Sequence, residues 1–245
     1  MPVYLDHAAT SPIRASVLEL YTATLSEIGN PASVHSFGQR SRQILEQARE
    51  EIAAAIQCDR SEVLFTSGGT ESDNLAIKGL YWNVNSRSPN KNIIISAAAE
   101  HHAVFDAIHW LVDSQNAEAY LIPSNDQGVL DLAALKSFLE QNSERVALVS
   151  VMWANNEIGV IHPIQEITAL ASRFGIPVHS DAIAALGHIP VSFAESGLAA
   201  MTITGHKLGG PVGSGALILR RDQKLTPVNH GGGQERNLRS GTPDA

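Results

Sequence analysis

The chain has 245 residues, 44% of them apolar and 17% charged, with a formal net charge of −8 that is spread along the sequence. This is the composition of one sizeable α/β domain, and the scattered acidic excess argues against a protein that binds the phosphate backbone of nucleic acids. There is no apolar run of membrane-spanning length, no secretory signal pattern and only one cysteine, Cys58, so we expect a cytoplasmic protein without an internal disulfide.

Short β-branched runs alternate with longer amphipathic stretches along most of the chain, a pattern typical of βαβ units and a largely parallel sheet. Two helices are expected before the first strand. The seven predicted strands are 63–66, 92–96, 119–123, 146–151, 176–180, 200–204 and 215–220. Helices are predicted between them at 70–82, 101–114, 131–141 and 163–174.

Three short sequence features predict the connection of the last two strands, the start of the first helix and the extent of the chain. The last two strand runs are joined by a glycine-rich segment too short for a helical crossover, so that pair is expected to be antiparallel or not adjacent. Ser11 followed by Pro12 predicts the N-cap and first residue of the first helix. The closing residues RSGTPDA contain no terminal helix, and we expect the chain to be a truncated form of a longer protein.

The segment SGGTESDN follows the first predicted strand and opens a helix. Ligands of open α/β sheets gather at the carboxyl ends of strands. Gly68, Gly69 and Thr70 would expose free backbone N–H groups at the positive end of the helix dipole, an arrangement suited to phosphate. The alternative is a glycine turn with a threonine cap.

Two further polar clusters follow predicted strands. In AEHHAV, His101 and His102 open a helix, but adjacent helical residues point about 100° apart and rarely bind one metal ion. A stacking or capping histidine is the favoured interpretation. In WANNEIG, Asn155 and Asn156 are interpreted either as turn residues or as ligand contacts.

The last two clusters are HSDA and TGHK. Asp181 is either a helix N-cap or a carboxylate that pairs with a protonated ring nitrogen. Lys207, which follows Thr204 and His206, is surrounded by glycines that leave room for a ligand. Partial desolvation near positive dipoles would favour its amine form, although a surface lysine is the plainer interpretation.

Together these clusters predict a pyridoxal phosphate site. A phosphate cradle, a carboxylate, a ring-sized histidine and a lysine would all lie at strand ends of one sheet, and this cofactor needs each of them. A metal enzyme would not need the lysine. A nicotinamide enzyme would need G-x-G-x-x-G after the first strand, which is absent.

The chain resembles the cysteine desulfurases, which are fold-type I, class V aminotransferase-like enzymes. The resemblance covers the whole chain and is carried, in order, by YLDHAATSP, GNPASVHSFG, FTSGGTESDN, EHHAV, WANNEIGV, HSDA, GHKLGGPVGSGAL and HGGGQERNLRSGTP. It is closest to the housekeeping desulfurases of iron–sulfur cluster assembly, notably actinobacterial ones. It implies an α/β/α sandwich with a mostly parallel seven-stranded sheet between helices. Residues 1–14 would be an N-terminal arm and 15–245 the cofactor-binding large domain, with the C-terminal small domain absent.

The resemblance also implies roles for individual residues. Lys207 would join pyridoxal 5′-phosphate through a Schiff base and shuttle the Cα proton, Asp181 would pair with the pyridinium, and His101 would stack on the ring and assist proton transfer. Asn156 would lie near the cofactor hydroxyl and the substrate. Phosphate-binding positions would be Gly69, Thr70, Thr204, His206 and, reaching a neighbouring subunit's phosphate, Thr242.

The implied reaction converts L-cysteine to L-alanine and passes the sulfur to an enzyme cysteine. The implied partners are a second subunit in a homodimer and a sulfur acceptor, either an iron–sulfur scaffold or a tRNA-thiolation protein. The alternatives are a selenocysteine lyase or another class V enzyme, and a truncated chain without catalytic activity.

The sequence departs from the family at two points. Ala184 stands where family members usually carry a glutamine that hydrogen-bonds the cofactor's phenolic oxygen, a loss of roughly 1–3 kcal/mol if nothing replaces it. The family's sulfur-accepting cysteine and its substrate-carboxylate arginine lie beyond RSGTP and have no counterpart here. Cys58 precedes the first strand at a helix end and is expected to be a structural thiol.

Overall fold

A computed structural model describes residues 3–243 of the chain. The helices are α1 (Ala15–Leu25), α2 (Ser36–Ile56), α3 (Gly69–Arg87), α4 (His102–Gln115), α5 (Leu132–Asn142), α6 (Ile164–Ser172), α7 (Phe193–Ser196) and α8 (Gln234–Leu238), with 3₁₀ turns at Arg60–Glu62 and Ser143–Arg145. The strands are β1 (Val63–Thr66), β2 (Ile93–Ala97), β3 (Glu118–Ile122), β4 (Val146–Ser150), β5 (Val178–Asp181), β6 (Ala200–Thr204) and β7 (Gly215–Leu219). Each predicted strand is confirmed, with bounds that agree within two residues.

The described strands form one sheet in the order β1-β7-β6-β5-β4-β2-β3. The pairs β2–β3, β2–β4, β4–β5 and β5–β6 are parallel. β7 lies antiparallel to both β6 and β1, as expected for strands joined by a short glycine-rich segment. β1 therefore runs in the same direction as β6, and six strands present their carboxyl ends at one edge.

Helices cover both faces of the sheet, which confirms the α/β/α sandwich. One face packs its apolar side chains against α2, α5 and α6. The other face packs against α3 and α4. The central strands are buried on both sides, so β2, β4 and β6 are buried along their whole length. This double burial explains why these strands are runs of β-branched and small apolar residues rather than alternating patterns.

The predicted start of the first helix is wrong. The helix begins at Ala15 after Arg14, which makes no side-chain cap. Ser11 instead uses its backbone N–H to bond the carbonyl of His206, at 2.9 Å, and its Oγ donates to the carbonyl of Lys207, at 3.1 Å. Because these tertiary hydrogen bonds engage Ser11 with another loop, the cap signal in the sequence is overridden.

α1 differs from the other long helices in that none of its residues is buried. Its apolar side chains point outward, with Leu18, Leu20 and Leu25 respectively 49%, 69% and 61% exposed. None of the helices in residues 3–243 is both long and apolar enough to cross a membrane. The domain bounds 1–14 and 15–245 remain a prediction, and residues 1, 2, 244 and 245 lie outside the described part.

Candidate active site

A cavity of about 610 Å³ opens at the carboxyl edge of the sheet. The N-terminus of α3, the loop before α4, the loop after β4, the end of β5 and the loop after β6 contribute to its wall. Seven of the residues expected at a cofactor site line it together: Gly69, Thr70, His101, Asn156, Asp181, His206 and Lys207. Ala184, at the usual glutamine position, lines it as well.

The start of α3 forms one side of the cavity. Gly68 precedes the helix with φ +146° and ψ −179°, a conformation that is essentially restricted to glycine. At Gly69 there is no room for a side chain, because an added Cβ would lie 2.1 Å from Cδ1 of Ile183. The first N–H groups of a helix have no acceptor within the helix, so this end of α3 presents donors and a positive dipole to the cavity.

His101 is the N-cap of α4, which confirms the capping interpretation. Its Nδ1 accepts a hydrogen bond from the backbone N–H of Ala103 at 3.1 Å. The neutral ring therefore carries its proton on Nε2. His102 also lines the cavity, and its Nδ1 lies 3.5 Å from Oδ1 of Asp106. Across residues 3–243, no group of three or more His, Cys, Asp or Glu side chains is arranged to hold a metal ion.

The two asparagines after β4 have different surroundings. Asn155 forms the turn: its Oδ1 accepts from the N–H groups of Glu157 and Ile158, and its Nδ2 donates to the carbonyl of Ala99 at 2.7 Å. Asn156 lines the cavity instead. The turn interpretation is thus confirmed for Asn155, and the cavity contact belongs to its neighbour.

Asp181 ends β5 at the wall of the cavity and is only 3% exposed. Its Oδ1 accepts a hydrogen bond from the N–H of Ile183 at 2.8 Å, which turns the chain without starting a helix. Burial raises the pKa of this carboxyl group, while the hydrogen bond from Ile183 and the charge of Lys207 act in the opposite direction. The carboxylate is therefore placed to gain from a positive charge that enters the cavity.

Lys207 lies on the glycine-rich loop between β6 and β7. The loop folds back on Gly205, whose carbonyl accepts from the N–H groups of Leu208 and Gly210, both at 2.9 Å. Gly209 has φ +84°, a left-handed conformation that glycine adopts without strain. The amine is therefore carried by a tight loop that leaves its approach clear of side chains.

The N-terminal segment holds this loop in place. Besides the two bonds from Ser11, the N–H of Arg14 donates to the carbonyl of Gly209 at 2.9 Å. Nδ1 of His206 lies 3.2 Å from Oγ1 of Thr10. Burial and the charge of Lys207 both lower the pKa of His206, so its ring is neutral at neutral pH.

Two expected site residues lie outside the cavity. Thr204 is buried at the end of β6, and its hydroxyl donates to the carbonyl of Ser214 at 2.9 Å. Thr242 is exposed and lines a different cavity, next to α1 and Arg239. In both cases the position agrees with a strand end or loop, but the side chain is not brought to the cavity in this structure.

Sequence reasoning missed Asp73, Glu100 and the segment around Asp6, Ala8 and Ala9. Asp73 and the three N-terminal residues line the cavity, whereas Glu100 is half-buried beside it, with Oε1 accepting from the N–H of Met152 at 2.9 Å. Asp73 had a signal: it stands in SDNLAI on the apolar face of a helix, where an acid is unusual. The N-terminal segment belongs to the motif YLDHAATSP, but its place at the cavity could not be predicted from the local sequence, because it depends on a loop 196 residues further along the chain.

The residues present fit pyridoxal phosphate. At the start of α3, Gly69 and Thr70 line the cavity, and Gly69 has no Cβ to cover the first N–H groups of the helix. Asp181 has one carboxylate oxygen bonded to the backbone and lies at the wall, where a ring nitrogen could meet it. Lys207 supplies an amine at the same cavity. An anion cradle, an amine and a carboxylate are the parts that this cofactor requires.

The sheet order and this cavity define the large domain of a fold-type I α/β enzyme. The chain belongs to the aminotransferase class-V family, whose characteristic sequence matches residues 3–243. This family is pyridoxal-phosphate-dependent, which agrees with the fit of the cavity.

The relatives of the chain include an IscS-like cysteine desulfurase of Mycobacterium tuberculosis, which is 50% identical over 241 residues. That match covers 98% of this chain and 61% of the relative. The cysteine desulfurase IscS of Dictyoglomus turgidum is 44% identical, with 98% and 59% covered. The chain thus spans about three fifths of the length of these relatives.

Solved structures of similar proteins have the same fold as this chain. A NifS-like protein superposes with a TM-score of 0.93 at 34% identity, covering 100% of this chain and 66% of that one. SspA in complex with cysteine superposes with a TM-score of 0.90 at 32% identity, covering 99% and 69%.

Proposed function

We propose that this chain is the cofactor-binding part of a pyridoxal-phosphate-dependent cysteine desulfurase. The observation that carries the proposal is the convergence of Lys207, Asp181, His101 and the N-terminus of α3 on one cavity. The names of the similar proteins, several of which are cysteine desulfurases, support it. When bound, pyridoxal phosphate supplies an electron sink for charge that develops at a substrate carbon.

Each residue has a task that follows from its surroundings. Lys207 offers the amine that would hold the cofactor and later carry a proton on Nζ. Asp181 would keep the ring nitrogen protonated through its buried carboxylate. His101 presents Nε2–H to the cavity while its Nδ1 is fixed by Ala103, so its ring is oriented to stack and to exchange a proton.

The phosphate would lie against the backbone donors of Gly69 and Thr70, with His206 beside it. Asn156 would contact the phenolic oxygen or the substrate. Thr204 would join the phosphate shell only after its hydroxyl leaves Ser214, and Thr242 would reach the site of a second subunit in a homodimer. Ala184 offers no polar atom in place of the usual glutamine, so affinity for the cofactor should be lower than with that glutamine.

The reaction would convert L-cysteine to L-alanine and transfer sulfur to a thiol. Cys58 is poorly suited to be that thiol, because burial and the charges of Glu62 and Asp59 raise its pKa to about 12. A thiolate is the nucleophile in sulfur transfer, and Cys58 stays protonated at neutral pH. We therefore assign the acceptor role to a thiol other than Cys58. An iron–sulfur scaffold or a tRNA-thiolation protein in the cytoplasm would be a suitable partner.

The test is an absorption spectrum of the purified chain with pyridoxal phosphate, followed by borohydride reduction and peptide mapping. We expect a visible band and a reduced adduct on Lys207. Lys207→Ala should lack both, while Lys224→Ala, which removes an exposed lysine elsewhere, should keep them. A band that survives in Lys207→Ala, or an adduct on another lysine, would refute the assignment.

The substrate is tested separately. The loaded chain is incubated with L-cysteine or selenocysteine and a small-molecule thiol as sulfur acceptor, and alanine is measured. Alanine from cysteine supports a desulfurase. Alanine from selenocysteine alone would identify a selenocysteine lyase, and cofactor binding without alanine would leave this chain a binding domain that needs further protein for turnover.

A further inference from the structure

Asp73 is a buried acid at the cavity whose role the proposed reaction does not explain. It lies on α3, one helical turn after Gly69, and is 0% exposed. It lines the same cavity as Asp181. Neither of its carboxyl oxygens has a hydrogen-bond partner in the described part of the chain. An ionised carboxylate in such a place would have little compensation for its lost hydration, because the hydroxyl of Thr202 lowers the pKa of Asp73 by less than burial and the charge of Asp181 raise it.

The nearest basic group does not supply a compensating charge. Nε2 of His179 lies 3.6 Å from Oδ1 of Asp73, beyond hydrogen-bond distance. His179 is already engaged on both sides: Nδ1 lies 2.9 Å from Oγ of Ser150, and Nε2 lies 3.0 Å from Oγ1 of Thr202. Complete burial lowers the pKa of His179 to about 3, so its ring is neutral.

Asp181 has more groups nearby that stabilise its ionised form than Asp73 has. Burial raises the pKa of Asp181, but the hydrogen bond that it accepts from the N–H of Ile183 and the positive charge of Lys207 act against this rise. Burial and then the negative charge of Asp181 raise the pKa of Asp73 well above its ordinary value. Two adjacent buried carboxyl groups with such unequal surroundings divide their protons unequally.

We propose that Asp73 and Asp181 form a carboxyl pair that holds one proton, with the proton on Asp73 and the negative charge on Asp181. Asp73 is then a positioning residue: as a neutral acid it adds no repulsion to the carboxylate that faces the cofactor ring. The part of the proposal that concerns the ring rests on the proposed function. The protonation of Asp73 itself does not.

Other titratable groups surround the pair and also affect its pH dependence. The groups on its inner side are His179 and Asp181 of β5 and Glu100 beside the cavity. Across the cavity lie Asp6, His101, His102, Glu157, His206 and Lys207.

The first experiment uses the chain without cofactor and follows urea unfolding from pH 5 to pH 8. An Asp73 that binds a proton in the native state but not in the unfolded state makes stability fall as pH rises. We expect the unfolding constant of the wild-type chain to rise by up to about tenfold per pH unit more than that of Asp73→Asn. Asp113→Asn, which changes an exposed acid elsewhere on α4, should follow the wild-type profile.

Two outcomes would overturn the proposal. Parallel profiles of wild type and Asp73→Asn would show that Asp73 is ionised in the native state as well as in the unfolded state, since such a group exchanges no proton on unfolding. A wild-type chain that gains stability relative to Asp73→Asn as pH rises would show that the native state binds fewer protons than the unfolded state, which excludes a proton held on Asp73.

The second experiment measures the dissociation constant of pyridoxal phosphate at pH 8. Asp73→Asn replaces a neutral acid by a neutral amide, so we expect a value within about threefold of wild type, whereas Asp181→Asn should bind at least about tenfold more weakly. Equal weakening in both variants would refute the pair. If the wild-type chain takes up no cofactor, the proposed function fails, and the unfolding profiles still decide the protonation of Asp73.

If Asp73→Asn does not fold, infrared spectroscopy provides the answer. The single variant Glu100→Gln removes the other carboxyl group beside the cavity and leaves the pair of Asp73 and Asp181 intact. A carbonyl stretching band of a protonated carboxyl group that persists at pH 8 supports the proposal. The absence of that band refutes it.

Discussion

Gly69 is the residue at which α3 meets the wall of the cavity, and the space for a side chain there is taken by Ile183. In Gly69→Ala, Cδ1 of Ile183 must move, which costs about 0.5–1.5 kcal/mol of unfolding free energy if the side chain leaves its rotamer. The displaced Ile183 and the new methyl group both narrow the approach to the helix backbone. We expect pyridoxal phosphate to bind about tenfold more weakly, which corresponds to about 1.4 kcal/mol.

The control for this prediction is the double variant Gly69→Ala, Ile183→Ala, which removes the atom that the new Cβ meets. Its cofactor affinity should recover most of the loss, as measured by titration of the visible band. A single variant with wild-type affinity would mean that the cofactor phosphate does not approach Gly69.

Glu100 is a second residue with a predictable effect. Burial raises its pKa from 4.5 to about 8, against the hydrogen bond that it accepts from Met152. Because the native state holds a proton that the unfolded state releases, its contribution to stability is complete below about pH 4.5 and is lost as pH rises to about 8. Glu100→Gln should therefore show a flatter profile of unfolding free energy between these values. An unchanged profile would contradict a raised pKa.

The sequence allowed some of these residues to be identified and not others. Gly69, Thr70, His101, Asn156, Asp181, His206 and Lys207 follow strand ends, and topology alone brings such positions to one edge. The orientation of Thr204 could not be predicted, since its hydroxyl is bonded to Ser214, a residue on the far side of the same loop. Asp73 could be recognised as an unusual acid on the apolar face of a helix. Its closeness to His179 of β5 could not be predicted from the sequence.

At the scale of elements, His101 connects the site to the stability of α4. Its Nδ1 caps the helix, so His101→Ala should lower the unfolding free energy by about 0.5–2 kcal/mol, the usual effect of losing a cap. His101→Asn keeps a capping oxygen and should be nearly as stable as wild type. Both variants lack the ring, so both should lose activity. Equal unfolding midpoints for the two variants would show that the cap contributes nothing.

The buried ion pair of Arg49 and Glu235 ties α2, β1 and α8 together. The guanidinium lies 2.8 Å from Oε1 of Glu235 and 2.6 Å from the carbonyl of Val63, and Oε2 of Glu235 accepts from the N–H of Phe65. Residues Glu235, Arg236 and Asn237 all have positive φ, which costs roughly 1–2 kcal/mol per residue. The ion pair fixes a turn that would otherwise be unfavourable.

Arg49→Leu would leave Glu235 buried without its partner. We expect a loss of about 3–5 kcal/mol of unfolding free energy, measured by urea denaturation. The matched control is Arg60→Leu, which breaks the pair with Glu50 in which both side chains are 58% exposed. That change should cost less than about 1 kcal/mol. Similar losses in both variants would contradict the special role of the buried pair.

The presence of strands and helices was easier to predict from the sequence than the residues at which they begin and end. The strands β2, β4 and β6 could be read from the sequence because double burial forces continuous apolar runs. The start of α1 could not, because Ser11 bonds to the loop of Lys207 rather than to the helix. The left-handed turn at Glu235 could not be foreseen either, since it depends on Arg49, far away in the sequence.

At the scale of the whole molecule, the outward apolar side chains of α1 should promote association of the chain. We expect Leu20→Lys, Leu25→Lys to sediment as a smaller species at high concentration, with the unfolding free energy changed by no more than about 0.5 kcal/mol, because neither side chain is buried. Ser16→Lys, Thr22→Lys adds the same charge to α1 without removing apolar surface. Equal association of both double variants would assign the effect to charge.

The position of β1 at the edge of the sheet has a consequence for synthesis. Its partner in the sheet is β7, and Val63 pairs with Ile218. At roughly 5–20 residues per second, a ribosome needs on the order of ten seconds to translate the stretch between them, and β7 must also leave the exit tunnel. During that interval the backbone of β1 is unpaired while β2 to β6 can already assemble. A chaperone present during translation should therefore have its longest contact with the first 66 residues.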